Sequence, residues 1–323
     1  MPSAYLTAYK NGSLEKIALK THKLLESCVI CPRKCRANRL KGQKGFCQAG
    51  ALARVYSYFS HPGEEPPVSG SNGSGAIFFS GCNMACAYCQ NYKFSQNQAG
   101  KEVGPEKLAD FMLELQDKGC HNINLVTPTH VMPQILKAIM AAVPKGLKIP
   151  LIYNTSGYEL PEMIKLLNGI VDIYLTDMRY ADGRLSLRYS QSPDYPFYNQ
   201  AAVLEMNRQA GQPEFDQNGI IKKGLIIRHL VLPHKISGSK EIFRFISREI
   251  SPQAYISLMS QYTPYQRAAQ DSQINRRITR EEYAQAKYLM DEYGLHNGWT
   301  QELNDQDGLA GIYIKPLGKQ NQL

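Results

Sequence analysis

Six short apolar runs, separated by amphipathic segments, fill the sequence between residues 75 and 265. Near-continuous apolar strands that alternate with helices are typical of a parallel sheet covered by helices. Each run ends in polar residues, and the carboxyl ends of the strands are where a β/α barrel carries its chemistry. The sequence therefore predicts an α/β fold with a partial (β/α)6 TIM-like barrel. The six runs are AIFFS, NINLVT, PLIYNTS, VDIYLTD, LIIRHLVLP and AYISLMS.

Segments of different composition lie on either side of this predicted barrel. Residues 13–27 place leucine and isoleucine at helical spacing, and four cysteines follow in a Gly- and Lys-rich stretch. Residues 61–75 are rich in proline and glycine, which is typical of a linker or a long surface loop. We therefore predict a cysteine-rich N-terminal module over 1–70, the barrel over 71–268, and a partly helical C-terminal extension over 269–323.

Composition limits the class of protein. The chain has 323 residues, of which 43% are hydrophobic and 20% are charged, as in an ordinary globular protein. No apolar run is long enough to span a bilayer, and the N-terminal segment lacks the apolar core of a signal peptide. We expect a cytoplasmic protein without a membrane partner. The formal net charge of +9 is consistent with an acidic partner or a nucleic acid, but a basic solvated surface explains it equally well.

Eight cysteines in a cytoplasmic chain favour metal or iron–sulfur ligation over disulfides, because that compartment keeps thiols reduced. Seven of them form two groups, and we predict that the isolated Cys120 is a buried, inert thiol. The N-terminal group, spaced C-x2-C-x3-C-x11-C, consists of Cys28, Cys31, Cys35 and Cys47. The second group, spaced C-x3-C-x2-C directly after the first apolar run, consists of Cys82, Cys86 and Cys89.

The second group places three thiolates on one short loop, which is one ligand fewer than a closed tetrahedral site requires. A 4Fe–4S cluster bound by three cysteines leaves one iron without a protein ligand, and that iron can bind a small molecule. The loop thus predicts either a cluster with an open position or a site that takes a fourth ligand from elsewhere in the chain.

This spacing, on the loop after the first strand of a partial barrel, resembles the signature of the radical S-adenosylmethionine (SAM) superfamily. The resemblance implies that Cys82, Cys86 and Cys89 bind a catalytic 4Fe–4S cluster whose open iron chelates the amino and carboxylate groups of SAM. It also implies the reaction. An electron from the reduced cluster cleaves SAM and releases a 5′-deoxyadenosyl radical, which abstracts hydrogen from a substrate.

Residues 75–265 further resemble the activating enzymes of pyruvate formate-lyase and their uncharacterised relatives. The aromatic residue before the third cysteine, the strand ends YNTSGY and LTDMRY, and the arginine of IIRHLVLP correspond to residues near SAM in that family. Where the family has Gly-Gly-Glu, this chain has TPTH, in which Thr129 is a candidate acceptor and His130 a pocket or structural residue. The resemblance implies a SAM site formed by Tyr88, Thr129, Asn154, Thr155, Asp177, Arg179 and Arg228.

The N-terminal group supplies four thiolates, enough to close a metal site completely. Such a site suits structural zinc and a second iron–sulfur cluster equally well. Zinc would stabilise a small module with little core of its own, whereas a cluster would provide an electron relay. A docking role for this basic module is a further alternative.

We therefore expect a radical SAM enzyme that abstracts hydrogen from a protein substrate, as glycyl-radical-activating enzymes do, with a reductant such as flavodoxin or ferredoxin. One alternative is a radical SAM enzyme acting on RNA or a small metabolite, which the positive charge and the missing Gly-Gly-Glu favour. The second alternative is a zinc-binding interaction protein without catalytic activity. A nucleic-acid partner is not favoured.

Overall fold

The computed structural model describes residues 2–303. Within this range the strands are β1 Ala53–His61, β2 Ser74–Phe79, β3 Lys101–Val103, β4 Ile123–Val126, β5 Leu151–Thr155, β6 Ile173–Asp177, β7 Glu214–Phe215, β8 Ile221–Leu230, β9 Tyr255–Met259 and β10 Gly298–Thr300. The α-helices are α1 Ala4–Lys10, α2 Ser13–Lys23, α3 Pro66–Ser69, α4 Tyr92–Ser95, α5 Pro105–Asp117, α6 Met132–Ala142, α7 Pro161–Leu166, α8 Gly183–Ser190, α9 Tyr195–Ala210, α10 Ser239–Phe245 and α11 Arg280–Glu292.

A single large sheet organises the described part of the chain, with strand order β10-β9-β8-β6-β5-β4-β2-β1-β3 and β7 paired to β8. The six predicted runs are β2, β4, β5, β6, β8 and β9, which lie side by side in chain order and are all parallel. The predicted α/β fold with a partial barrel is therefore confirmed. Within residues 2–303 the sheet is not closed, because β10 and β3 end it on opposite sides.

Burial on both faces explains the apolar sequences of the central strands. Every residue of β2, β5 and β6 is buried, as expected for parallel strands covered by helices. Helices α5 and α6 pack against each other, and α6 also contacts α2. Cys120, which precedes β4, is 3% exposed, in agreement with the prediction of a buried thiol.

Additional strands extend the sheet beyond the six predicted runs. Strand β1 pairs antiparallel with β2 and with β3, and at the other edge β10 pairs parallel with β9. Strand β1 comes from the predicted N-terminal module and β10 from the predicted C-terminal extension, so both belong to the same sheet as the barrel. The proposed domain boundaries stay a prediction, and residues 304–323 of the extension lie outside the described residues.

Both helices predicted outside the barrel are present. Helix α2 covers most of the segment 13–27 and buries Leu14, and a turn of 3₁₀ helix continues the segment to Glu26. Helix α11 begins with a capping box, in which the side chains of Thr279 and Glu282 each accept from the backbone amide of the other. The helical spacing thus predicted α2, and α11 lies in the extension that was expected to be partly helical.

The Pro- and Gly-rich segment 61–75 is not the exposed linker that its composition predicts. It connects the paired strands β1 and β2 and contains α3, whose residues Pro67, Val68 and Ser69 are buried. Glu65, directly before α3, is 7% exposed. The segment therefore packs onto the barrel, and it places Glu64 and Glu65 beside Arg228 of β8.

Candidate functional site

The cysteine loop, residues 82–89, follows β2 and is fixed on two sides. Gly81 turns the chain with φ of 86°, and a Cβ here would lie 2.5 Å from the carbonyl oxygen of Cys47. The amide of Ala87 donates to the carbonyl of Tyr189 in α8 at 2.7 Å. The loop is thus held between the N-terminal cysteines and the end of α8.

Two of the loop's sulfur atoms have polar side chains beside them. Cys86 Sγ accepts hydrogen bonds from Ser190 Oγ at 3.0 Å and from Arg179 Nη1 at 3.4 Å. Cys89 Sγ lies 3.2 Å from Ser95 Oγ. Donors of this kind stabilise negative charge on sulfur, as in a thiolate that binds a metal.

Burial disfavours ionisation of two thiols of the loop, those of Cys82 and Cys89. Desolvation raises the pKa of Cys82 to about 12 and that of Cys89 to about 11. The backbone amide of Met84, 3.4 Å from Cys82 Sγ, offsets only part of this cost. Because metal binding requires the thiolate form, a metal centre would add positive charge that offsets the cost of desolvation.

The loop forms one wall of a cavity of about 410 Å³. This volume is within the range of small-molecule sites, about 300–1,000 Å³. No fourth cysteine lines the cavity in the described part of the chain. The predicted cluster and SAM residues that line it are Cys82, Cys86, Tyr88, Cys89, Asn154, Thr155, Asp177, Arg179 and Arg228.

Arg179 lies between the cysteine loop and the end of β6. Its Nε and Nη2 both donate to Asp177 Oδ2, the first at 3.0 Å, while Nη1 reaches Cys86 Sγ. Burial opposes its charge, but Asp177 raises the pKa of Arg179 well above its ordinary value. The guanidinium is therefore a permanent cation beside the sulfur atoms, with the planar geometry that suits a carboxylate.

Arg228 reaches the cavity, as predicted, but two glutamates already hold it. Its Nε and Nη2 donate to the two carboxylate oxygens of Glu65 at 2.7 and 2.8 Å, and Nη2 also donates to Glu64. Its Nη1 lies 3.3 Å from Asn154 Oδ1. Burial opposes the charge on Glu65, yet Arg228 holds its pKa below the usual value. Sequence reasoning missed both glutamates, because the composition around HPGEEPP indicated a linker.

Thr129 does not line the cavity, although the sequence predicts it as a SAM contact. It is 1% exposed and donates to Glu159 Oε1 at 2.5 Å, and Thr155 donates to the same oxygen at 2.5 Å. Burial raises the pKa of this carboxyl group to about 7. At this strand end Thr127, with φ of 61°, lines the cavity instead. Thr129 thus reaches the cavity wall indirectly, through Glu159 and Thr155.

Tyr88 lies on the cavity wall beside the third cysteine. Its ring is 6% exposed and meets the ring of Tyr262 edge-on, with centroids 5.5 Å apart. Its hydroxyl group lies 2.7 Å from that of Tyr180. The ring is therefore held in one orientation by packing on one side and a hydrogen bond at its tip.

The N-terminal cysteines line a second cavity of about 10 Å³. Cys28, Cys31 and Cys47 are buried and Cys35 is exposed. A Cβ at Gly45 would lie 2.3 Å from Cys35 Sγ, so glycine is needed for this close approach. Within residues 2–303, no three His, Cys, Asp or Glu side chains are placed around a common point so as to hold a single metal ion. The second metal centre therefore stays a prediction.

Two arginines join the N-terminal module to the barrel. Arg33 Nε donates to the carbonyl of Asn83, inside the cysteine loop, at 2.9 Å. Arg39 Nη1 donates to the carbonyl of His130 at 2.7 Å. His130 lines the small cavity, bonds the carbonyl of Ser80 at 2.8 Å, and has a pKa that burial lowers to about 4. It is therefore a buried neutral residue of the interface and does not line the larger cavity.

Comparisons with known proteins identify the family. The family model described as the radical SAM superfamily matches residues 76–219. The uncharacterized protein MJ0674 of Methanocaldococcus jannaschii is 32% identical over 283 residues, which cover 84% of this chain and 76% of that protein. The chain therefore belongs to the radical SAM superfamily.

A solved structure that is similar to this chain is that of HydG, a maturase of the FeFe hydrogenase. The two share 13% sequence identity with a TM-score of 0.47. The match covers 68% of this chain and 48% of HydG, so the chain spans about half the length of that structure.

Membership of the superfamily implies an enzyme with a 4Fe–4S cluster and SAM, and the residues present fit both. Three cysteine side chains on one wall of the cavity are the donor set that such a cluster takes. The cavity itself supplies charged and polar groups for a zwitterionic ligand. In addition, none of the helices within residues 2–303 is both long and apolar enough to cross a lipid bilayer.

Proposed function

We propose that this radical SAM enzyme binds its cluster through Cys82, Cys86 and Cys89, binds SAM in the adjoining cavity, and acts on a segment of another protein. The observation that carries the proposal is that the three cysteines and the strand-end residues line one cavity of about 410 Å³. When bound, the cluster and SAM supply a 5′-deoxyadenosyl radical for hydrogen abstraction. The residues of the chain bind, orient and shield the reactants.

The carboxylate and the adenine of SAM each have a suitable group in the cavity. Arg179, which Asp177 orients, is the group we assign to the SAM carboxylate. Asn154 and Thr155, at the end of β5, add polar side chains at the same edge of the sheet. The fixed ring of Tyr88 provides an apolar surface for the adenine base.

The shape of the cavity supports a protein substrate. The cavity extends from the cysteine loop to β10, where Trp299, Thr300 and Gln301 line it. Because β10 is the last strand at this edge within residues 2–303, and the sheet they form is not closed, we propose that an extended segment of a partner approaches from the side. We therefore propose hydrogen abstraction from a protein backbone or side chain, as glycyl-radical-activating enzymes perform.

Further partners follow from the same proposal. A one-electron donor such as flavodoxin or ferredoxin would reduce the cluster, and the net charge of +9 favours docking of an acidic protein. We also propose that Cys28, Cys31, Cys35 and Cys47 hold a second metal centre, either zinc or iron–sulfur, and that the protein acts in the cytoplasm.

Anaerobic reconstitution with iron and sulfide, followed by SAM and dithionite, tests the cluster and SAM assignments. We expect a 4Fe–4S cluster whose electron paramagnetic resonance (EPR) spectrum changes when SAM is added, with release of 5′-deoxyadenosine and methionine. A cluster that does not respond to SAM would contradict the SAM site. A colourless protein after reconstitution would favour the zinc-binding alternative.

The protein substrate needs a separate experiment. A partner captured by anaerobic cross-linking and prepared with deuterium should transfer deuterium into 5′-deoxyadenosine. Transfer from a deuterated metabolite extract but from no protein would favour the small-molecule alternative. Captured RNA whose binding falls steeply with salt would favour the RNA alternative.

A further inference from the structure

A chain of buried hydroxyl groups ends on the sulfur atom of Cys86. Ser190 Oγ donates to Cys86 Sγ at 3.0 Å, and the hydroxyl of Tyr180 lies 2.8 Å from Ser190 Oγ. The hydroxyl of Tyr88 lies 2.7 Å from that of Tyr180. All four side chains are 6% exposed or less. Direct hydrogen bonds between hydroxyl groups therefore connect Tyr88, on the wall of the large cavity, to Cys86, one of the predicted iron ligands.

The number of protons fixes the direction of this chain. Each hydroxyl group has one proton to donate, and a cysteine that ligates iron has none. Because the proton of Ser190 points at Cys86, the hydroxyl of Tyr180 donates to Ser190, and that of Tyr88 donates to Tyr180. Every donation is thus directed toward the sulfur, which strengthens the last hydrogen bond.

The backbone holds Ser190 at this distance. The amide of Ala85, in the cysteine loop, donates to the carbonyl of Ser190 at 3.1 Å. Ser192 Oγ donates to the same carbonyl at 3.0 Å and accepts from Arg33 Nη2 at 3.0 Å. The turn after α8 is therefore bonded both to the cysteine loop and to the N-terminal module. These bonds hold the backbone of Ser190 beside the loop, within hydrogen-bond distance of the Cys86 sulfur.

We propose that Ser190 is a positioning residue that raises the reduction potential of the cluster, with Tyr180 and Tyr88 holding its hydroxyl in the donating orientation. Reduction adds negative charge to the cluster and its sulfur ligands, so a donor to Cys86 stabilises the reduced form more than the oxidised form. This inference rests on the proposed function, because it requires a cluster at Cys86. It assigns a role to residues outside the three-cysteine motif.

A redox titration of the reconstituted protein, followed by EPR, tests the inference. Ser190→Ala should lower the equilibrium constant for reduction about tenfold, which is about 59 mV for a one-electron couple. Tyr180→Phe should lower the potential by less, and Tyr88→Phe by least, because each acts through the next hydroxyl. Ser74→Ala is the matched control: its buried hydroxyl, at the start of β2, donates to Asn122 Oδ1 at 2.7 Å and does not line the large cavity, so the potential should stay at the wild-type value.

The outcomes separate this inference from the proposed function. If Ser190→Ala and Tyr180→Phe both have the wild-type reduction potential, this inference is overturned, but the proposed function is not. If Ser190→Ala does not retain a cluster, Tyr180→Phe decides, because its sulfur donor is still present but no longer oriented. A wild-type protein that assembles no cluster would overturn the proposed function, and this inference with it.

Discussion

The two cysteine groups of this protein line different cavities and differ in what surrounds them. Cys82, Cys86 and Cys89 face a cavity of about 410 Å³, whereas the N-terminal cysteines surround one of about 10 Å³. The first group has space for a ligand beside the thiols, and the second has none. The number of cysteines thus corresponds to the free volume beside them: the group of three lies at an open site, and the group of four lies at a closed one.

The two regions, the large cavity and the N-terminal module, also differ in what their arginine side chains contact. In the large cavity Arg179 is paired with Asp177 and approaches Cys86. In the N-terminal module, Arg33 and Arg39 donate to backbone carbonyls of the barrel, where they serve as structural contacts. Part of the positive charge that the sequence presents as a basic module is therefore directed inward, toward the barrel.

The largest expected effect separates the two groups directly. Cys86→Ala should reduce SAM cleavage to background, because two thiolates do not retain the cluster in its working form. Cys28→Ala should keep measurable cleavage, since its group does not face the cavity. The measurement is 5′-deoxyadenosine formed by the anaerobically reconstituted variants.

Metal analysis of a Cys82/Cys86/Cys89→Ala triple variant completes this test. One metal centre should remain in the folded triple variant if the N-terminal cysteines bind metal independently. A folded, metal-free triple variant would contradict the second centre. Equal loss of cleavage in Cys28→Ala and Cys86→Ala would remove the distinction between the two groups.

The next effect concerns Glu159, which lies in the wall between the two regions. Its native pKa of about 7 is above the usual 4.5, so the unfolded state releases its proton first as pH rises. The contribution of Glu159 to the free energy of unfolding is therefore fully present below pH 4.5 and should fall by about 3 kcal/mol between pH 4.5 and 7. Urea unfolding at pH 4.5 and 7.5 measures this, and Glu159→Gln should lose most of the dependence.

Glu162→Gln is the control for Glu159, because Glu162 is an exposed acid on the following helix. It should keep the wild-type dependence on pH. A Glu159→Gln variant with the wild-type dependence would show that the buried carboxyl group is ionised in the folded protein and that burial does not control its charge.

A smaller effect, on the affinity for SAM, is expected at Arg179 in the large cavity. If its guanidinium binds the SAM carboxylate, Arg179→Ala should cost about 1.5–3 kcal/mol, the scale of a hydrogen bond to a charged group. The SAM dissociation constant, measured by calorimetry, should rise about tenfold or more. Arg188→Ala, which removes an exposed ion pair with Asp271, should leave it unchanged. An unchanged constant in Arg179→Ala would exclude Arg179 from the site.

The smallest effect is expected where the two regions meet. Arg33→Ala removes the hydrogen bonds to Asn83 and Ser192 and the contact with the ring of Phe46. It should lower the free energy of unfolding by about 1–2 kcal/mol. Lys44→Ala, an exposed position in the same module, should have no measurable effect. Equal stability of the two variants would show that the regions are joined mainly by packing.

The sequence by itself determined the elements whose signal is local. The six apolar runs became six parallel strands in chain order, because burial on both faces requires apolar residues at every position. The three-cysteine loop and the polar residues after β5 and β6 reached one cavity, because the carboxyl ends of parallel strands meet at one edge. Helix α2 followed from the spacing of its apolar residues, and α11 lies in the extension expected to be partly helical.

Tertiary structure alone decided the contacts between distant segments. Glu64 and Glu65 reach Arg228 across more than 160 residues of sequence, and a Pro- and Gly-rich composition gives no sign of it. Thr129 points away from the cavity because the buried Glu159 accepts its hydroxyl. Ser190 meets Cys86 because backbone bonds fasten α8 to the cysteine loop. Hydrogen bonds of this kind depend on which strand ends are neighbours, and that is settled only when the sheet is assembled.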